Sequence, residues 1–255
     1  MFSIDLSGKT ALITGGSRGI GRAAAVLLAK AGCLGITLVS RTYAGDGEAA
    51  QRELEALGAQ VNYVEGDISD PAVAKRAVDS TVERWGRLDI LVNNAGISGY
   101  NTIENCTVER WDEVVHVNLR PVFLTTKLAA EAMKRQGGGS IINVSSIAGV
   151  TGGSTSAEYA AAKAGVVGFT KYAGRQLAPH GIRVNAIAPG TTESEMVRSF
   201  FDALPEEAAE KKRRDIPLGR FARPEEIAGA ILFLASDLGS YVCSETICVT
   251  GGRYW

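Results

Sequence analysis

Ala11-Leu-Ile-Thr-Gly-Gly-Ser-Arg-Gly-Ile-Gly21 is the stretch of the sequence that decides the fold. Its first four residues have the apolar character of a buried strand. The glycines that follow have the spacing Gly15-x-x-x-Gly19-x-Gly21, and residues 19–31 carry apolar side chains at helical spacing. Glycines let the backbone turn tightly and approach a phosphate closely, and the free N–H groups of a helix start attract anions. The stretch therefore predicts a strand, a phosphate-binding turn and a helix.

The rest of the chain alternates between strand-like and helical runs. We expect further strands at residues 36–40, 61–65, 90–93, 141–144, 184–188 and 246–249. We expect helices at residues 48–57, from Pro71 onward, at 111–135 with a kink at Pro121, at 159–177 and at 224–234. Alternating strands and helices form a parallel sheet that is covered on both faces. The pattern therefore predicts a single doubly wound (Rossmann) α/β domain over residues 1–255, with a parallel seven-stranded sheet.

Residues 190–223 interrupt this alternation, because they are too many for an ordinary connection. Long segments in compact domains are often lids over binding sites, so we predict a substrate lid here. Within it, residues 206–214 carry acidic and basic side chains at helical spacing, for example Glu207 and Lys211. We predict a short helix with a solvated charged face, and the alternative is a patch that docks a partner.

The composition limits the classes of function. The 255 residues are 45% hydrophobic and 22% charged with a formal net charge of -1, which gives no electrostatic basis for binding nucleic acid or an anionic membrane. Neither a signal peptide nor a membrane span is evident, so we expect a cytoplasmic protein. The cysteines form no CxxC motif and have no histidine nearby, so we expect no metal site and small buried side chains at Cys33, Cys106, Cys243 and Cys248.

Tyr159 and Lys163 form the pair of side chains with the clearest chemical use. They are four positions apart, so a helix would place both on one face. A free tyrosine has a pKa near ~10, and a neighbouring ammonium favours the phenolate, which lowers that pKa toward the working range of a proton donor. Ser146 follows the apolar run at 141–144, at the carboxyl end of a predicted strand, where open α/β sheets bind ligands. Taken alone, the Tyr-x-x-x-Lys spacing also arises by chance.

Several further motifs occur in one order along the chain. They are Thr14-Gly15-x-x-x-Gly19-x-Gly21, Asp67, Asn93-Asn-Ala-Gly96, Asn118, Ser146, Tyr159-x-x-x-Lys163 and Pro189-Gly190. With these motifs the chain resembles the short-chain dehydrogenase/reductase family over essentially its whole length. Within that family it is most similar to 3-oxoacyl-[acyl-carrier-protein] reductases (β-ketoacyl-carrier-protein reductases) and related secondary-alcohol dehydrogenases. So many motifs in one order are far more specific than any one alone.

The resemblance implies a role for each catalytic candidate. Tyr159 would be the general acid in carbonyl reduction and the general base in the reverse reaction. Lys163 would lower the pKa of Tyr159 and bind the nicotinamide ribose. Ser146 would hold the substrate carbonyl oxygen, whereas the adjacent Ser145 would point away, because neighbours at a strand end face opposite directions. Asn118 would anchor a water in a proton relay from Lys163.

The resemblance also implies a nicotinamide dinucleotide cofactor. Its predicted binding residues are Gly15, Ser17, Arg18, Gly19, Ile20, Gly21, Ser40, Arg41, Asp67, Ile68, Asn94, Ala95, Gly96, Tyr159, Lys163, Pro189, Gly190 and Thr192. NAD-dependent members usually have an acidic residue just past the second strand, which accepts from the ribose 2′-hydroxyl. Ser40 holds that place here, and Arg41 and Arg18 can bind a 2′-phosphate. We therefore predict a preference for NADP(H), with NAD(H) as the alternative.

Two positions depart from the family pattern. Family members place a threonine near the nicotinamide carboxamide shortly after Pro189-Gly190, and Thr192 or Ser194 would replace it here. Carrier-protein reductases often dock their acidic partner with an arginine at the position of His180, which weighs against a carrier-protein partner. His116 and His180 match no catalytic position of the family, so we expect both to be structural or surface residues.

The resemblance implies an oxidoreductase that interconverts a ketone and a secondary alcohol. A 3-oxoacyl thioester, carried by acyl carrier protein or coenzyme A, is the preferred substrate; a sugar, a polyol or a small secondary alcohol is the alternative, and a non-catalytic cofactor-binding sensor is a minor one. We also expect a homotetramer, formed through the long helices and the last strand, because residues 161–169 offer a Gly-rich, apolar face and the tail at residues 251–255 ends in the aromatic pair Tyr254-Trp255. The predicted pocket residues are Ser98, Tyr100, Ser154, Met196, Phe200 and Phe201.

Overall fold

A single parallel sheet organises the protein. The computed structural model describes residues 4–99, 101–153, 156–194, 197, 207, 210 and 213–253. Within these residues, seven strands pair in the order β3-β2-β1-β4-β5-β6-β7. The strands are β1 (Thr10–Thr14), β2 (Gly35–Ser40), β3 (Gln60–Glu65), β4 (Ile90–Asn93), β5 (Gly139–Val144), β6 (Ile182–Pro189) and β7 (Thr246–Val249). The predicted parallel seven-stranded sheet is confirmed.

The strand order creates a crevice beside β1. This strand pairs with β2 on one side and with β4 on the other. The chain therefore builds the sheet to one side of β1 through β2 and β3, and then crosses to the other side to continue from β4. Thr14 at the end of β1 is in register with Asn93 at the end of β4, which in turn is in register with Asn143 of β5. The carboxyl ends of these strands therefore meet at one edge, where a reversal of strand order opens a binding crevice.

Helices connect the strands, and most of them agree with the sequence prediction to within three residues. They are α1 (Gly19–Lys30), α2 (Asp46–Ala56), α3 (Pro71–Trp85), α4 (Val108–Gln136), α5 (Ala148–Thr151), α6 (Ala157–Leu177) and α7 (Pro224–Ala235). The short α5 and the two 3₁₀ turns, Ala178–His180 and Asp237–Gly239, were not predicted. A kink was predicted at Pro121, and α4 runs through this residue as one helix of 29 residues.

Alternate residues of the strands enter two hydrophobic cores, one on each face of the sheet. Ile13 of β1 lies in one core with Leu28 of α1 and Ile231 of α7. Its neighbour Leu12 lies in the other core with Met133 of α4. On the first face α1 packs against α7, and on the second α4 packs against α6. Burial on both faces accounts for the nearly unbroken apolar runs of the central strands.

Much of the predicted lid lies outside the described residues. In the described part of this segment, Thr192 near its start forms a parallel bridge with Ala222 near its end, so the two ends of the segment lie side by side. Residues 207, 210, 213 and 214 are helical, in agreement with a short charged helix. The predicted pair of Glu207 with Lys211 lies outside the description because Lys211 does, but Glu210 contacts Arg213 at 3.4 Å and Arg214 at 3.3 Å.

Among the described residues, no helix has both the length and the apolar character needed to cross a membrane. The same residues contain no group of three or more His, Cys, Asp or Glu side chains arranged to hold a metal ion.

Candidate active site

A cavity of about 1060 Å³ opens at the carboxyl edge of the sheet. It is large enough for a dinucleotide together with a small substrate. All but one of the predicted catalytic and cofactor-binding residues line it, the exception being Gly21. Those lining residues are Gly15, Ser17, Arg18, Gly19, Ile20, Ser40, Arg41, Asp67, Ile68, Asn94, Ala95, Gly96, Asn118, Ser146, Tyr159, Lys163, Pro189, Gly190 and Thr192.

The glycine-rich turn forms one wall of this cavity, and two of its glycines leave no room for a side chain. The N–H of Gly15 donates to the Val39 carbonyl oxygen at 2.8 Å, which ties the turn to β2. Gly15 has a φ of +64°, and a Cβ on it would lie 2.9 Å from Nδ2 of Asn94. Gly21 lies behind the wall, where a Cβ would lie 2.2 Å from the Gly15 carbonyl oxygen. Both positions therefore require glycine, for two different steric reasons.

Asn94 locks this turn to the end of β4. Its Nδ2 donates to the carbonyl oxygens of Thr14 at 3.1 Å and of Gly15 at 3.0 Å. The Thr14 hydroxyl in turn accepts from the N–H groups of Asn94 at 2.9 Å and Ala95 at 3.0 Å. The helix α1 begins at Gly19 without a side chain bonded to its first N–H groups, so its positive end faces the cavity. A narrow glycine cradle at a helix start fits the pyrophosphate of a dinucleotide.

The far end of the cavity lies beyond β2, where the family resemblance predicts the adenosine of the cofactor, and it is called the adenosine end. Arg41, Asp67 and His116 all line it, and so does Asp46 at the start of α2. The Ser40 hydroxyl donates to the Thr42 carbonyl oxygen at 2.8 Å and is also in contact with the hydroxyl of Tyr63. Ser40 is thus already engaged within the protein, and Asp46 adds a carboxylate that the sequence did not place at this site.

Asp67 is ionised by its surroundings. Burial raises the pKa of this carboxyl, but hydrogen bonds from the backbone and side chain of Ser69, each 2.8 Å long, lower it. The neighbouring Arg41 and His116 lower it further, so the pKa lies below its ordinary value. His116 was expected to be a structural or surface residue, and it is exposed on the cavity rim.

Tyr159 and Lys163 come together as their spacing predicts. The N-cap Ser156 accepts from the Tyr159 N–H at 3.4 Å, which fixes the start of α6. The Nζ of Lys163 lies 5.8 Å from the centre of the Tyr159 ring and donates to the Val144 carbonyl oxygen at 2.9 Å. Burial lowers the pKa of Lys163 from 10.5 to about 8, because a cation is poorly solvated there. The lysine can therefore carry or release a proton near neutral pH.

Ser145 and Ser146 face opposite directions at the end of β5. Ser145 is buried, and its hydroxyl donates to the Lys163 carbonyl oxygen at 2.8 Å. Ser146 lines the cavity, and its Oγ accepts from the Ala148 N–H at 3.2 Å. Because that oxygen is an acceptor, the hydroxyl hydrogen can be directed at a ligand. The short helix α5 therefore orients the serine.

Asn118 holds an acceptor beside Lys163. Its Nδ2 donates to the carbonyl oxygens of Ile97 at 2.9 Å and Val114 at 2.8 Å. Its Oδ1 is buried and accepts no hydrogen bond from the described residues. A Cβ on Gly96 would lie 2.5 Å from this oxygen and 3.5 Å from Nζ of Lys163, so both atoms border one small space. A buried acceptor of this kind fits a water or a ligand hydroxyl.

Some cavity residues were not predicted. Helix α4 contributes Glu113, His116 and Val117, which lie within five residues before Asn118. The available signal was the spacing of three and four positions from Glu113 to the other two. Distant segments contribute Pro224 and Arg253, for which the sequence held no signal. Ser194 lines the cavity beside Thr192, whereas Ser98 is not among the lining residues. The other predicted pocket residues lie outside the described part of the chain: Tyr100, Ser154, Met196, Phe200 and Phe201.

Known proteins match this chain over nearly its full length. A family model described as Enoyl-(Acyl carrier protein) reductase matches residues 15–253. The 3-oxoacyl-[acyl-carrier-protein] reductase FabG of Thermotoga maritima is 42% identical over 248 residues, which are 97% of this chain and 98% of the relative. The FabG reductase of Staphylococcus aureus is 42% identical over 249 residues, which are 96% of this chain and 98% of the relative.

Solved structures of similar sequence share the fold. Levodione reductase aligns with a TM-score of 0.93 at 37% identity, over 97% of this chain and 98% of its own. A short-chain type dehydrogenase/reductase from Mycobacterium marinum aligns with a TM-score of 0.87 at 34% identity, over 98% of this chain and 96% of its own. By sequence and by fold, the chain belongs to the short-chain dehydrogenase/reductase family and is an NAD(P)-dependent oxidoreductase.

Proposed function

We propose that the protein reduces a 3-oxoacyl thioester to the 3-hydroxyacyl thioester, with NADP(H) as the preferred cofactor. One observation carries the proposal: Ser146 and Tyr159 line the same cavity as the glycine cradle, and the buried Lys163 lies beside the tyrosine ring. Two hydroxyl donors that line one cavity are suited to a carbonyl oxygen, on which negative charge develops during reduction. The names of the curated relatives supply the substrate class.

The cofactor would be held along the carboxyl edge of the sheet. The cradle of Gly15, Gly19 and the α1 start would bind its pyrophosphate, Asp67 and Ile68 its adenine, and Lys163 its nicotinamide ribose. When bound, the nicotinamide supplies the hydride that adds to the carbonyl carbon, or takes it up in the reverse direction.

Tyr159 would donate its phenolic proton to the carbonyl oxygen, while Ser146 donates a hydrogen bond to the same oxygen. The ketone thereby gains one hydride at carbon and one proton at oxygen and becomes the secondary alcohol. The nearby Lys163 ammonium stabilises the phenolate that remains, which lowers the pKa of Tyr159. Asn118 would hold a water beside Lys163, through which the proton is replaced from solvent.

The chemistry of these side chains favours reduction of C=O over C=C. The family model carries the description of an enoyl reductase, whereas the curated relatives are 3-oxoacyl reductases. A proton donor beside a charge-stabilising hydroxyl matches a carbonyl oxygen, which ends the reaction protonated. Reduction of the C=C bond of an enoyl thioester ends with the new proton on carbon, so a side chain that protonates oxygen directly matches the ketone better. A sugar, polyol or small secondary alcohol stays the alternative substrate.

The preference for NADP(H) rests on charge at the adenosine end. Arg18 and Arg41 both line this end, and each can form charge-assisted hydrogen bonds with a 2′-phosphate. Asp46 opposes them with a single negative charge. The engagement of Ser40 with Thr42 removes one expected donor, so the two arginines would provide most of the recognition.

We further propose a homotetramer that assembles through α4, α6 and the C-terminal strand. Exposed aromatic side chains on the two long helices support this assembly, since Phe123 is 49% and Tyr172 is 66% exposed. Phe123 also contacts Phe169 edge-to-face at 6.3 Å, which extends the apolar surface across both helices. The aromatic residues 254 and 255 lie outside the described part. Light scattering at micromolar concentration should give four times the mass of the chain, and a monomer mass would refute the assembly.

Oxidation of NADPH, followed by absorbance, tests the reaction with four acceptors: acetoacetyl-coenzyme A, crotonyl-coenzyme A, a cyclic diketone and a ketose. We expect the highest kcat/KM with acetoacetyl-coenzyme A and no turnover of crotonyl-coenzyme A. A coenzyme A thioester tests the chemistry without a carrier protein, and the same acyl group on acyl carrier protein then shows whether the carrier lowers KM.

Tyr159→Phe is the matched control, because it removes the phenol proton and keeps the ring. Turnover should fall by on the order of 10²-fold or more, while NADPH binding is retained. Turnover of crotonyl-coenzyme A in preference to the ketones, or near-normal turnover by the variant, would refute the proposal.

A further inference from the structure

A buried carboxylate next to the catalytic tyrosine has no part in the reaction proposed above. Glu158 is the second residue of α6 and directly precedes Tyr159 in the chain. It is 0% exposed. A carboxylate out of contact with water is strongly unfavourable unless hydrogen bonds replace the water, so its partners identify what it does.

The partners of Glu158 lie on the loop between β4 and α4, residues 97–107. Its Oε1 accepts from Nδ2 of Asn101 at 2.9 Å, and its Oε2 accepts from the Cys106 thiol at 3.3 Å. Burial raises the pKa of Glu158, but these two bonds and those from its own N–H and from Ser156 outweigh burial and lower the pKa. The side chain is therefore a carboxylate that binds the loop at two points.

The loop passes between this carboxylate and a guanidinium. A Cβ on Gly99 would lie 2.8 Å from Oε1 of Glu158 and 3.2 Å from Nη2 of Arg110, so a larger residue would displace the end of one of these side chains. Arg110 donates to the Ser98 carbonyl oxygen at 2.7 Å, and Asn118 fixes Ile97 at the start of the loop. Since Ile97 lines the cavity, the position of the loop sets the wall of the site on that side.

We propose that Glu158 is a positioning residue, which fastens the 97–107 loop to the helix that carries Tyr159 and so fixes the wall against which the substrate binds. The inference rests on the proposed function for its substrate, but the fastening itself is a property of the protein alone. Loss of the fastening should weaken substrate binding and leave proton transfer by Tyr159 nearly intact.

An exchange of donor and acceptor tests the contact. Asn101→Asp places a second carboxylate against Glu158, and the repulsion should displace the loop. KM for the thioester should rise roughly tenfold or more, with kcat changed by less than about threefold. Adding Glu158→Gln restores one donor and one acceptor in the reverse direction, so the double variant should recover a KM close to that of the parent. Glu104→Gln, an exposed carboxylate on the same loop, is the matched control and should change neither constant.

Hydrogen exchange of the loop amides provides a readout that needs no turnover. Asn101→Asp should speed exchange at residues 101–107 in the cofactor-free protein, and the double variant should slow it again. Thermal melting confirms that each variant is folded. The inference is overturned if Asn101→Asp leaves either exchange or KM unchanged, or if the double variant fails to restore them.

The failure of the proposed function has a different result. If the parent protein reduces none of the carbonyl compounds, the 3-oxoacyl proposal fails, while the exchange rates of the three variants still decide whether Glu158 fastens the loop. If the parent is active and only the exchange pattern disagrees, the function stands and the positioning role falls.

Discussion

The two halves of the cavity are held in different ways. The adenosine half, from β1 to β3, is shaped by backbone, because glycines and the ends of paired strands define the cradle and Asn94 closes it with bonds to carbonyl oxygens. The catalytic half, from β4 to β6, is shaped by buried side chains that reach across elements. A rigid backbone can present N–H groups to a phosphate, whereas proton transfer needs side chains held in exact relation to each other. The comparison predicts that each half is broken by a different kind of change.

The adenosine half should be most sensitive to added volume. Gly21→Ala places a Cβ 2.2 Å from the Gly15 carbonyl oxygen, so the cradle must move. A displacement of this size should weaken NADPH binding by on the order of 10²-fold. Titration of NADPH by fluorescence measures the dissociation constant. Gly229→Ala in α7, where a Cβ meets nothing within 4 Å, is the matched control and should leave binding unchanged. Equal affinity of Gly21→Ala and the parent would show that the cradle is not built by backbone shape.

The catalytic half should respond to pH through Lys163. Its pKa in the folded protein is about 8, below the ordinary value of 10.5, so between these values the unfolded chain binds more protons than the folded one. Stability conferred by this site therefore rises as pH rises from about 8, by at most about 1.4 kcal/mol for each pH unit. Lys163→Met removes the titration. Urea unfolding at pH 7, 8, 9 and 10 should show the parent gaining stability relative to the variant as pH rises. A difference in unfolding free energy that stays constant with pH would contradict the lowered pKa of Lys163.

The catalytic half also depends on a polar chain within its core. Nδ2 of Asn93 donates to Oδ1 of Asn143 at 2.9 Å, and Nδ2 of Asn143 donates to the Thr170 hydroxyl at 2.9 Å. Asn143→Leu leaves the Asn93 amide without this acceptor and should lower the free energy of unfolding by about 2 kcal/mol. Replacing Asn93 by Leu as well removes both partners and should recover part of the loss. A larger loss in the double variant would indicate that packing dominates.

Charge at the adenosine end should have the smallest effect. Asp46 is exposed, so its repulsion of a 2′-phosphate is screened by water. Asp46→Asn should raise the ratio of kcat/KM for NADPH to that for NADH by roughly two- to fivefold, the range of exposed charge pairs. Glu48→Gln, on the same helix but outside the cavity lining, is the control. A ratio that favours NADH in the parent would refute the predicted cofactor preference.

The same comparison explains what the sequence could predict. Positions with positive φ or without room for a Cβ require glycine, and the spacing of these glycines is visible in the sequence. The cradle at Gly15 could therefore be predicted. The pair of Tyr159 and Lys163 was equally predictable, because residues four positions apart are neighbours on the surface of a helix. Resemblance to the family, now confirmed, located Ser146 and Asn118.

Contacts between segments that are distant in the chain could not be predicted from the sequence. Glu158 was passed over because its partners, Asn101 and Cys106, are more than fifty positions away in the chain and follow no periodic pattern. Asp46 was not among the predicted site residues, since the turn that brings the start of α2 to the cavity depends on Gly45 with a φ of +78°. Spacing predicts neighbours within one element, and tertiary contacts between loops need the folded chain.

Two hydrogen bonds of opposite direction connect Lys163 of α6 to the end of β5. The lysine Nζ donates to the Val144 carbonyl oxygen, and the Ser145 hydroxyl donates to the Lys163 carbonyl oxygen. These two bonds join β5 directly to α6, so the relative backbone position of Ser146 and Tyr159 does not depend on the intervening chain. Beyond α5, which orients Ser146, the connection to α6 can therefore vary in length and composition while the reactive groups stay in place. The fold separates a fixed reaction centre from a variable connection, an arrangement that lets one chemistry serve many substrates.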